Sequence, residues 1–592
     1  MGSLANEALS GLICAAGVAG GVCAGLRWLR VSQREHYIPG RVLVFAWRWW
    51  LGRSAQGVNK LWALLAILGV ALSPLRPLAA LATAIVAGLG PVGMGLKGRT
   101  SPLAWTARLR SLALASLAVD LLVSGLIALG AAAGGLNELS AAGLGAGLFA
   151  LLVPFAVEAG GALMAPAQER SARSWIRKAR FRLEQVNPTV VGITGSFGKT
   201  TTKSYLARLL EGSMRVVASP ASFNNRLGLA RAVNENLADA TEVFIAEMGT
   251  YGPGEIAAMC EWLHPRVSVI CAIGPVHLER MKSEERILQA KSEILQGAEW
   301  AVLNVDDWRL AKLANAIQSG EASMPEVSKS LAPAGSGAPF PKRVVRCSGG
   351  GQGVEVADVV VLRRSALEVE VRWRSLEAGQ RCESSGEGTP DGPRGGEPSS
   401  SSGELRSQVV TAPPQDVDLS LVDLSLALGV VLALGLSLED ALERVALLRV
   451  PSHRLEEAVS PSGVVVLDDT YNANPLGARR ALARLQETGS PEGRKVLVTP
   501  GMVELGPRQR QENSELGKEA VRVCSDLVVV GRTNRAWLTE GVQQEMASSP
   551  EGSAKLRIVL VDRREQAVAW VRENLGPGDA VLYLNDLPDH FP

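Results

Sequence analysis

The stretch Val190–Ser204, VVGITGSFGKTTTKS, limits what this chain can fold into more than any other part of it. Val190, Val191 and Ile193 predict a short buried strand, Thr194 to Gly198 a glycine-containing loop, and Lys199-Thr200-Thr201 the start of a helix running through Tyr205, Leu206, Leu209 and Leu210. This is the layout of a phosphate cradle. N–H groups at a helix N-terminus face the anion, and Gly195 and Gly198 let the backbone come close. Lys199 is then placed to reach the terminal phosphates of a nucleotide and the Thr200 hydroxyl to hold Mg²⁺. The strict P-loop pattern has glycine where this chain has Ile193, so the loop is a variant. Taken alone, it competes with an ordinary strand-to-helix turn bearing an exposed lysine, and the residues downstream decide between the two.

Before this stretch the chain is apolar. Of the 592 residues 47 % are apolar, and the excess lies in the first 165. Five runs predict spans: 8–26, 61–75, 78–96, 111–131 and 141–163. The run 61–75 is short for the ~20 residues a span needs. A signal peptide is the rival reading of the first run, but its basic residues follow the apolar stretch instead of preceding it. Residues 27–60 carry seven Lys/Arg and the cluster Trp47, Trp49, Trp50, and read as a cytoplasmic segment at the membrane interface. Basic residues also follow the third and fifth runs, and none lies between the fourth and fifth. The positive-inside bias therefore puts the N-terminus outside and everything after residue 165 in the cytoplasm of a multi-pass cell (inner) membrane protein. Asp120 in the fourth run is costly in lipid and receives no role here.

Bulk properties exclude other classes. With 61 Lys+Arg against 59 Asp+Glu the net charge is +2, which gives no electrostatic case for nucleic acid. The seven cysteines (14, 23, 260, 271, 347, 382, 524) show no CxxC spacing, which argues against a disulfide framework or zinc ribbon and fits a reducing compartment.

From about residue 186 short β-rich segments alternate with helices. Strands are expected at 189–194, 243–246, 267–272, 301–304, 464–468, 496–499, 527–530, 558–561 and 580–584. Such alternation implies parallel sheets with ligands at the carboxyl ends of the strands. Chemistry-bearing residues fall there. Glu247 ends the second strand, placed to hold Mg²⁺ beside the loop; His277 follows the third; Asn304 ends the fourth; Asp469 ends the fifth. Singly, each has a bland structural explanation.

Together they do not. TGSFGKTT, SFNNRLG (222–228), AEMG (246–249), GPGEI (252–256), IGPVHLE (273–279), AKSEI (290–294), NVDD (304–307), HRLE (453–456), DDTYNANP (468–475) and PGMVELG (500–506) occur in the order seen in the Mur ligase family. The chain resembles that family over roughly residues 188–592, most of all the branch that adds D-alanyl-D-alanine to a UDP-N-acetylmuramoyl tripeptide. Hydropathy and the resemblance together predict an α-helical membrane region plus α/β domains. Residues 1–185 would hold the spans and a basic linker, 186–450 a central P-loop ATPase domain, and 451–592 a C-terminal Rossmann-like domain. A Gly/Ser/Pro-rich insertion at 379–404 reads as disordered.

The resemblance also implies an ADP-forming peptide ligase. Such enzymes phosphorylate a carboxylate with ATP, and an amine then displaces the phosphate. Lys199 would contact the β- and γ-phosphates, with Gly195, Gly198 and Thr201 in the same cradle. Thr200 and Glu247 would hold one Mg²⁺; His277 and a carbamylated Lys291 would hold a second. Asn304 would read adenine, and Arg454 and Asp469 would close over ATP from the last domain. Asn224 and Asn225 lie in a substrate-side loop, and Asn472 and Asn474 would orient the amine. The implied partners are the bilayer, a cell-wall peptide precursor (UDP-linked or lipid-linked) and an amino acid or dipeptide.

Three departures qualify the resemblance. The membrane region stands where soluble members carry a UDP-gripping domain, the His-Asn motif near the end of the central domain is not recognisable around Pro414–Leu432, and Ala230 replaces an expected proline. Loss of the UDP grip together with the spans suggests a lipid-linked acceptor. The alternatives are a poly-γ-glutamate synthase-like ligase, a lipid II-amidating ligase and an inactive membrane scaffold. The lipid II enzyme would usually carry a zinc ribbon, which this chain lacks. The intact set of predicted catalytic residues argues against the scaffold. A transporter lacks its partner motifs.

Overall fold

A computed structural model describes residues 2–53, 55–96, 103–220, 223–276, 278–320, 340–375, 404–413, 419–449, 455–470, 473–548, 556–587 and 590–592. The expected insertion and the residues His277, Arg454 and Asn472 lie outside these, the insertion except for Glu404.

Among the described residues seven helices precede the first strand. They are α1 (Gly2–Arg34), α2 (Arg41–Trp50), α3 (Gly57–Leu72), α4 (Ala79–Leu89), α5 (Ala107–Ala133), α6 (Glu138–Leu151) and α7 (Val153–Val186). Two are long and apolar enough to cross a membrane, over Leu4–Arg34 and Ala107–Ala133, and α6 with α7 forms a third such unit bent by 68°. The expected spans 61–75 and 78–96 form helices of 16 and 11 residues. At ~1.5 Å per residue neither covers a ~30 Å hydrocarbon core, and together they make a short hairpin. Its turn falls at Arg76-Pro77, and Gly90-Pro91 ends α4 because proline cannot donate to the next turn. Small residues let the helices touch. A Cβ on Gly20 would sit 2.3 Å from Ala84 O, and one on Gly17 would sit 2.8 Å from the Ala146 Cβ. Asp120 is buried on α5 in line with Ser116 and Ser124.

Parts of the segment 27–60 pack into the helical region. Helix α1 runs on to Arg34, and Arg27 is buried, donating to Met94 O (3.1 Å), Ala87 O (3.3 Å) and Gly88 O (3.0 Å). It thereby serves the last carbonyls of α4. Helix α2 is held at its N-terminus by Glu158, which accepts from the N–H groups of Gly40 and Val42, both at 2.8 Å.

The central domain is a nine-stranded sheet. In chain order its strands are β1 (Thr189–Thr194), β2 (Val216–Ala218), β3 (Val243–Glu247), β4 (Val267–Ile270), β5 (Trp300–Asn304), β6 (Arg343–Ser348), β7 (Val359–Arg363), β8 (Glu368–Arg374) and β9 (Leu405–Thr411), and they lie side by side as β2-β3-β1-β4-β5-β6-β7-β8-β9. Pairing is parallel as far as β7 and antiparallel across β8 and β9. Between the strands stand α8 (Lys199–Leu209), α9 (Arg226–Asn236), α10 (Glu255–Leu263), α11 (Leu278–Met281), α12 (Glu284–Ser292) and α13 (Trp308–Gln318), and after them α14 (Leu421–Ala433) and α15 (Leu438–Leu442). Two apolar layers flank the sheet, one under α9, α10 and α13, the other under α8 and α14. The expected insertion falls between β8 and β9, whose ends Arg374 and Leu405 are register partners.

Among its described residues the C-terminal domain has six strands. They are β10 (Glu456–Val459), β11 (Val465–Asp469), β12 (Lys495–Thr499), β13 (Asp526–Val530), β14 (Arg557–Val561) and β15 (Ala580–Leu584), in the order β10-β11-β15-β12-β13-β14, with only β10 antiparallel. Helices α16 (Pro475–Glu487), α17 (Gln509–Val523), α18 (Arg535–Ser548) and α19 (Arg564–Asn574) cover its faces. All nine expected strands are present within two residues. Strands β2, β6–β9 and β10 were not expected, being short, edge-placed or charged.

Candidate active site

The glycine loop is built from close approaches. Gly198 has φ +85°, and a Cβ there would sit 2.3 Å from Asp423 Oδ1; a Cβ on Gly195 would sit 2.9 Å from the Cys271 Cβ. Thr194 Oγ1 donates to Met248 O (2.8 Å) and Ser196 Oγ to Gly274 O (3.1 Å), which ties the loop to the ends of β3 and β4. Helix α8 starts at Lys199, so its first N–H groups open into the loop.

Around this loop the fold gathers residues far apart in sequence. Lys199 Nζ donates to Gly195 O at 2.7 Å, and Lys291 Nζ, buried at the end of α12, donates to the same oxygen at 3.0 Å. Burial, and then the neighbouring Lys199 charge, hold the Lys291 amine well below the usual lysine pKa. Glu247 at the end of β3 accepts from Thr200 Oγ1 (3.2 Å) and Asn224 Nδ2 (3.4 Å) and faces Lys203 Nζ at 2.8 Å. Burial pushes the Glu247 carboxyl up, but Lys203, Lys199 and Asn224 outweigh it, and the group stays below the usual carboxylate pKa. Two hard oxygen donors, Thr200 and Glu247, thus converge beside the loop, a donor set suited to Mg²⁺. Among the described residues no group of three or more His, Cys, Asp and Glu forms a metal cluster.

A cavity of about 210 Å³ runs from the loop to the C-terminal domain. Thr201, Asn304 and Asp423 line it on one side, and Asp469, Asn474 and Arg480 on the other. Asn304 is fixed by donating to Cys271 O (3.0 Å) and accepting from the Asp306 N–H (3.1 Å). A larger cavity, about 550 Å³, lies at the carboxyl ends of the C-terminal strands. The pairs Arg532–Asp562 (3.3 Å) and Arg564–Asp586 (2.8 Å) line it, and Trp49 and Gly93 of the helical region wall it.

The fold therefore brings together Gly195, Gly198, Lys199, Thr200, Glu247, Lys291 and Asn224 in one group, and Thr201, Asn304, Asp469 and Asn474 in another. Asn225 stands apart. Its side chain caps α9 by accepting from the Gly228 N–H (2.9 Å), and Asn474 likewise caps α16 through Gly477 (2.9 Å) while also lining the cavity. Sequence reasoning missed Lys203 and Asp423. Asp423 is buried where the His-Asn motif was sought and accepts from Thr202 Oγ1 at 3.0 Å. A lone carboxylate inside the apolar run Leu419–Leu436 was the available signal.

With this geometry in place, the comparisons with known proteins agree. The Mur ligase middle domain matches residues 193–332, and the Mur ligase, glutamate ligase domain matches residues 453–584. The UDP-N-acetylmuramoyl-tripeptide–D-alanyl-D-alanine ligase of Mycobacterium leprae is 30 % identical over 429 residues, 67 % of this chain and 70 % of the relative. The Mycobacterium tuberculosis (strain CDC 1551 / Oshkosh) enzyme of the same name is 31 % identical over 414 residues, covering 67 % and 69 %. Among solved structures, MurF ligase from Thermotoga maritima in complex with ADP superposes with a TM-score of 0.51 at 24 % identity, over 70 % of this chain and 80 % of that one. Both matched domains lie after the helical region.

Proposed function

This chain belongs to the Mur ligase family, as an ATP-dependent, ADP-forming peptide ligase of cell-wall synthesis, and from that premise we propose that it works at the membrane, joining an activated carboxylate of a cell-wall peptide precursor to D-alanyl-D-alanine or a similar amine. One observation carries the reading. Lys199, Thr200, Glu247 and Lys291 converge on one glycine loop, and Asp469 and Asn474 face it across a cavity that two domains share.

The chemistry follows from the groups. The acceptor carboxylate takes the γ-phosphoryl group of ATP, and ADP leaves. The amine nitrogen then attacks the acyl carbon, phosphate departs, and the nitrogen gives up a proton. Both partners of the first step are anions, so the site must supply positive charge. Lys199 and the N–H groups at the start of α8 supply it at the loop. Thr200 and Glu247 would hold a Mg²⁺ ion, which when bound neutralises phosphate charge. His277 and Lys291 would hold a second ion, with Lys291 carrying CO₂ as a carbamate. Burial and the Lys199 charge disfavour the ammonium form, the unprotonated amine is the form that adds CO₂, and the carbamate would supply a metal-binding anion. Asn304 and Asp423 line the cavity where we read the nucleoside as entering, and Asp469, with Arg454 from the sequence, is read as closing over ATP. The larger cavity, with its paired opposite charges at the strand ends, suits a zwitterionic dipeptide.

The apolar helices α1, α5 and the bent α6–α7 pair would anchor the chain, with the α/β domains in the cytoplasm. Because this region precedes the matched domains, we read the acceptor as lipid-linked. The test is phosphate release by detergent-purified protein with Mg·ATP, bicarbonate, D-Ala-D-Ala and either UDP-linked or lipid-linked muramoyl tripeptide. Release with the lipid-linked form alone supports the reading. Equal release with the UDP-linked form removes the lipid requirement, and silence with both, against release with glutamate, moves the donor.

A further inference from the structure

The helical region does more than precede the catalytic domains; it enters a buried ion cluster with both of them. Arg41, the first residue of α2, is buried and places its guanidinium between three carboxylates. These are Glu35 at the end of α1 (2.6 Å), Glu279 of α11 (2.9 Å) and Glu504 of the C-terminal domain (3.7 Å). Arg48, one helical face further on, reaches Glu279 at 2.8 Å. Arg280 closes the ring, with Glu504 at 2.6 Å and Glu35 at 3.5 Å. His590 Nε2, almost fully buried, lies 3.0 Å from Glu35 Oε1, and its carbonyl accepts from Trp49 Nε1 at 2.7 Å. The backbone adds to the same junction, since the Glu279 N–H donates to Glu504 O at 3.1 Å.

The geometry matters because of where these residues stand. Glu279 and Arg280 follow position 277 by two and three residues, so α11 carries the end of the IGPVHLE loop. Glu504 belongs to the PGMVELG loop of the C-terminal domain. Buried charges are stable only when paired, and removing one member leaves its partners desolvated and unpaired. Three carboxylates meet here, each from a different part of the molecule; the planar Arg41 guanidinium hydrogen-bonds Glu35 and Glu279 and adds its charge 3.7 Å from Glu504, which Arg280 hydrogen-bonds. With the two catalytic domains facing each other across the smaller cavity, Arg41 hydrogen-bonds Glu35 and Glu279 and lies within ion-pair distance of Glu504.

We infer that Arg41, on a helix of the membrane region, is a positioning residue for ligation: it holds Glu279 to Glu504 and so keeps the loop after position 277 and the C-terminal domain in their working arrangement. This rests on the ligase reading above. It makes the helical region a working part of the site, since the same catalytic domains without α2 would lack the central cation of the junction.

The test uses the full chain in detergent, with Arg41→Gln, Arg41→Lys, Glu504→Gln and the double variant Arg41→Gln/Glu504→Gln. Hydrogen exchange is read first, without substrate. Arg41→Gln is expected to speed exchange at residues 278–281 and 502–508 by roughly 10-fold or more, with β1 and α8 unchanged. In turnover, kcat should fall roughly 10- to 100-fold while KM for ATP stays within about twofold. Arg41→Lys should recover part of this, having one charge but no planar fork. The double variant should lose less than the product of the two single losses, because both act on one cluster. Unchanged exchange in Arg41→Gln, or changed exchange with unchanged kcat, overturns the proposal. Should Arg41→Gln fail to fold, Glu504→Gln and Arg41→Lys carry the same two readouts. If wild-type protein releases no phosphate with any amine, the ligase reading fails and the positioning role falls with it; the exchange data then separately show whether Arg41 ties the domains.

Discussion

Lys199 and Lys291 donate hydrogen bonds to the same carbonyl oxygen, that of Gly195, at 2.7 and 3.0 Å. Two side chains about 90 residues apart in sequence thus meet on one atom of the glycine loop. One is the lysine of the loop itself, at the N-terminus of α8. The other is buried, and burial with its neighbour's charge disfavours its ammonium form. In the proposed reaction Lys199 faces phosphate, and Lys291, whose ammonium form burial and Lys199 disfavour, is the one open to modification.

The division predicts that Lys291→Met abolishes phosphate release by about 100-fold or more without lowering the melting temperature, because the substitution also removes a buried amine whose charged form is penalised. Wild-type protein in ¹³C-bicarbonate should show a carbamate carbonyl resonance that Lys291→Met lacks. A resonance that persists in the variant would place the carbamate elsewhere.

Asp423 predicts a milder effect. Its carboxylate accepts from Thr202 Oγ1 at 3.0 Å directly beneath Gly198. Asp423→Leu leaves that buried hydroxyl without this acceptor, at a cost of about 1–3 kcal/mol, and frees the loop to shift. KM for ATP should rise roughly 10-fold, following that energy, while Asp423→Asn, which retains an acceptor, stays within about threefold. Equal effects of the two variants would show that charge and not hydrogen bonding is at stake.

The junction carries a pH dependence through Glu35. Burial pushes this carboxyl up, but His590 and Arg41 outweigh it, so its pKa in the folded protein is below the usual carboxylate value. A depressed acid contributes stability that is complete above the unfolded value of ~4.3 and is lost as pH falls through the folded value. Thermal stability of the wild type in detergent should therefore drop as pH falls below about 4. Glu35→Gln should start lower at neutral pH and show a flatter acid limb; a parallel limb would remove Glu35 from the effect.

Orientation can be read by labelling. With Cys14, Cys23 and Cys382 replaced by serine, Leu136→Cys, between α5 and α6, should react with a membrane-impermeant maleimide on intact cells, whereas Arg173→Cys, on the basic part of α7, should react only after lysis. The reverse pattern would invert the topology.

The glycine loop and its lysine, the carboxylate at the end of β3 and the alternation of strands and helices were all legible as local pattern. A strand edge, a turn and a helix start are each set by a few neighbouring residues. All nine expected strands formed for that reason. Strands β6 to β9 were not among those expected, although β7 (VVVLR) and the alternating β8 (EVEVRWR) carry strand patterns of their own; the polar β9 is placed by its pairing with β8. The two middle apolar runs were read as spans from hydropathy, and their helices, 16 and 11 residues long, end just ahead of Pro74 and Pro91, too short to span.

By itself, then, the sequence determined the kind of chemistry: a phosphate cradle, two α/β domains and an apolar helical region ahead of them. Tertiary structure alone decided which distant charges share a site. Lys291 meets Lys199, Asp423 supports Gly198, and Arg41 of the helical region lies between Glu279 and Glu504 of two other domains. The physical reason is range. Patterning reports on residues within a turn or a strand, whereas the pairing of buried charges depends on which surfaces the finished fold brings out of water together.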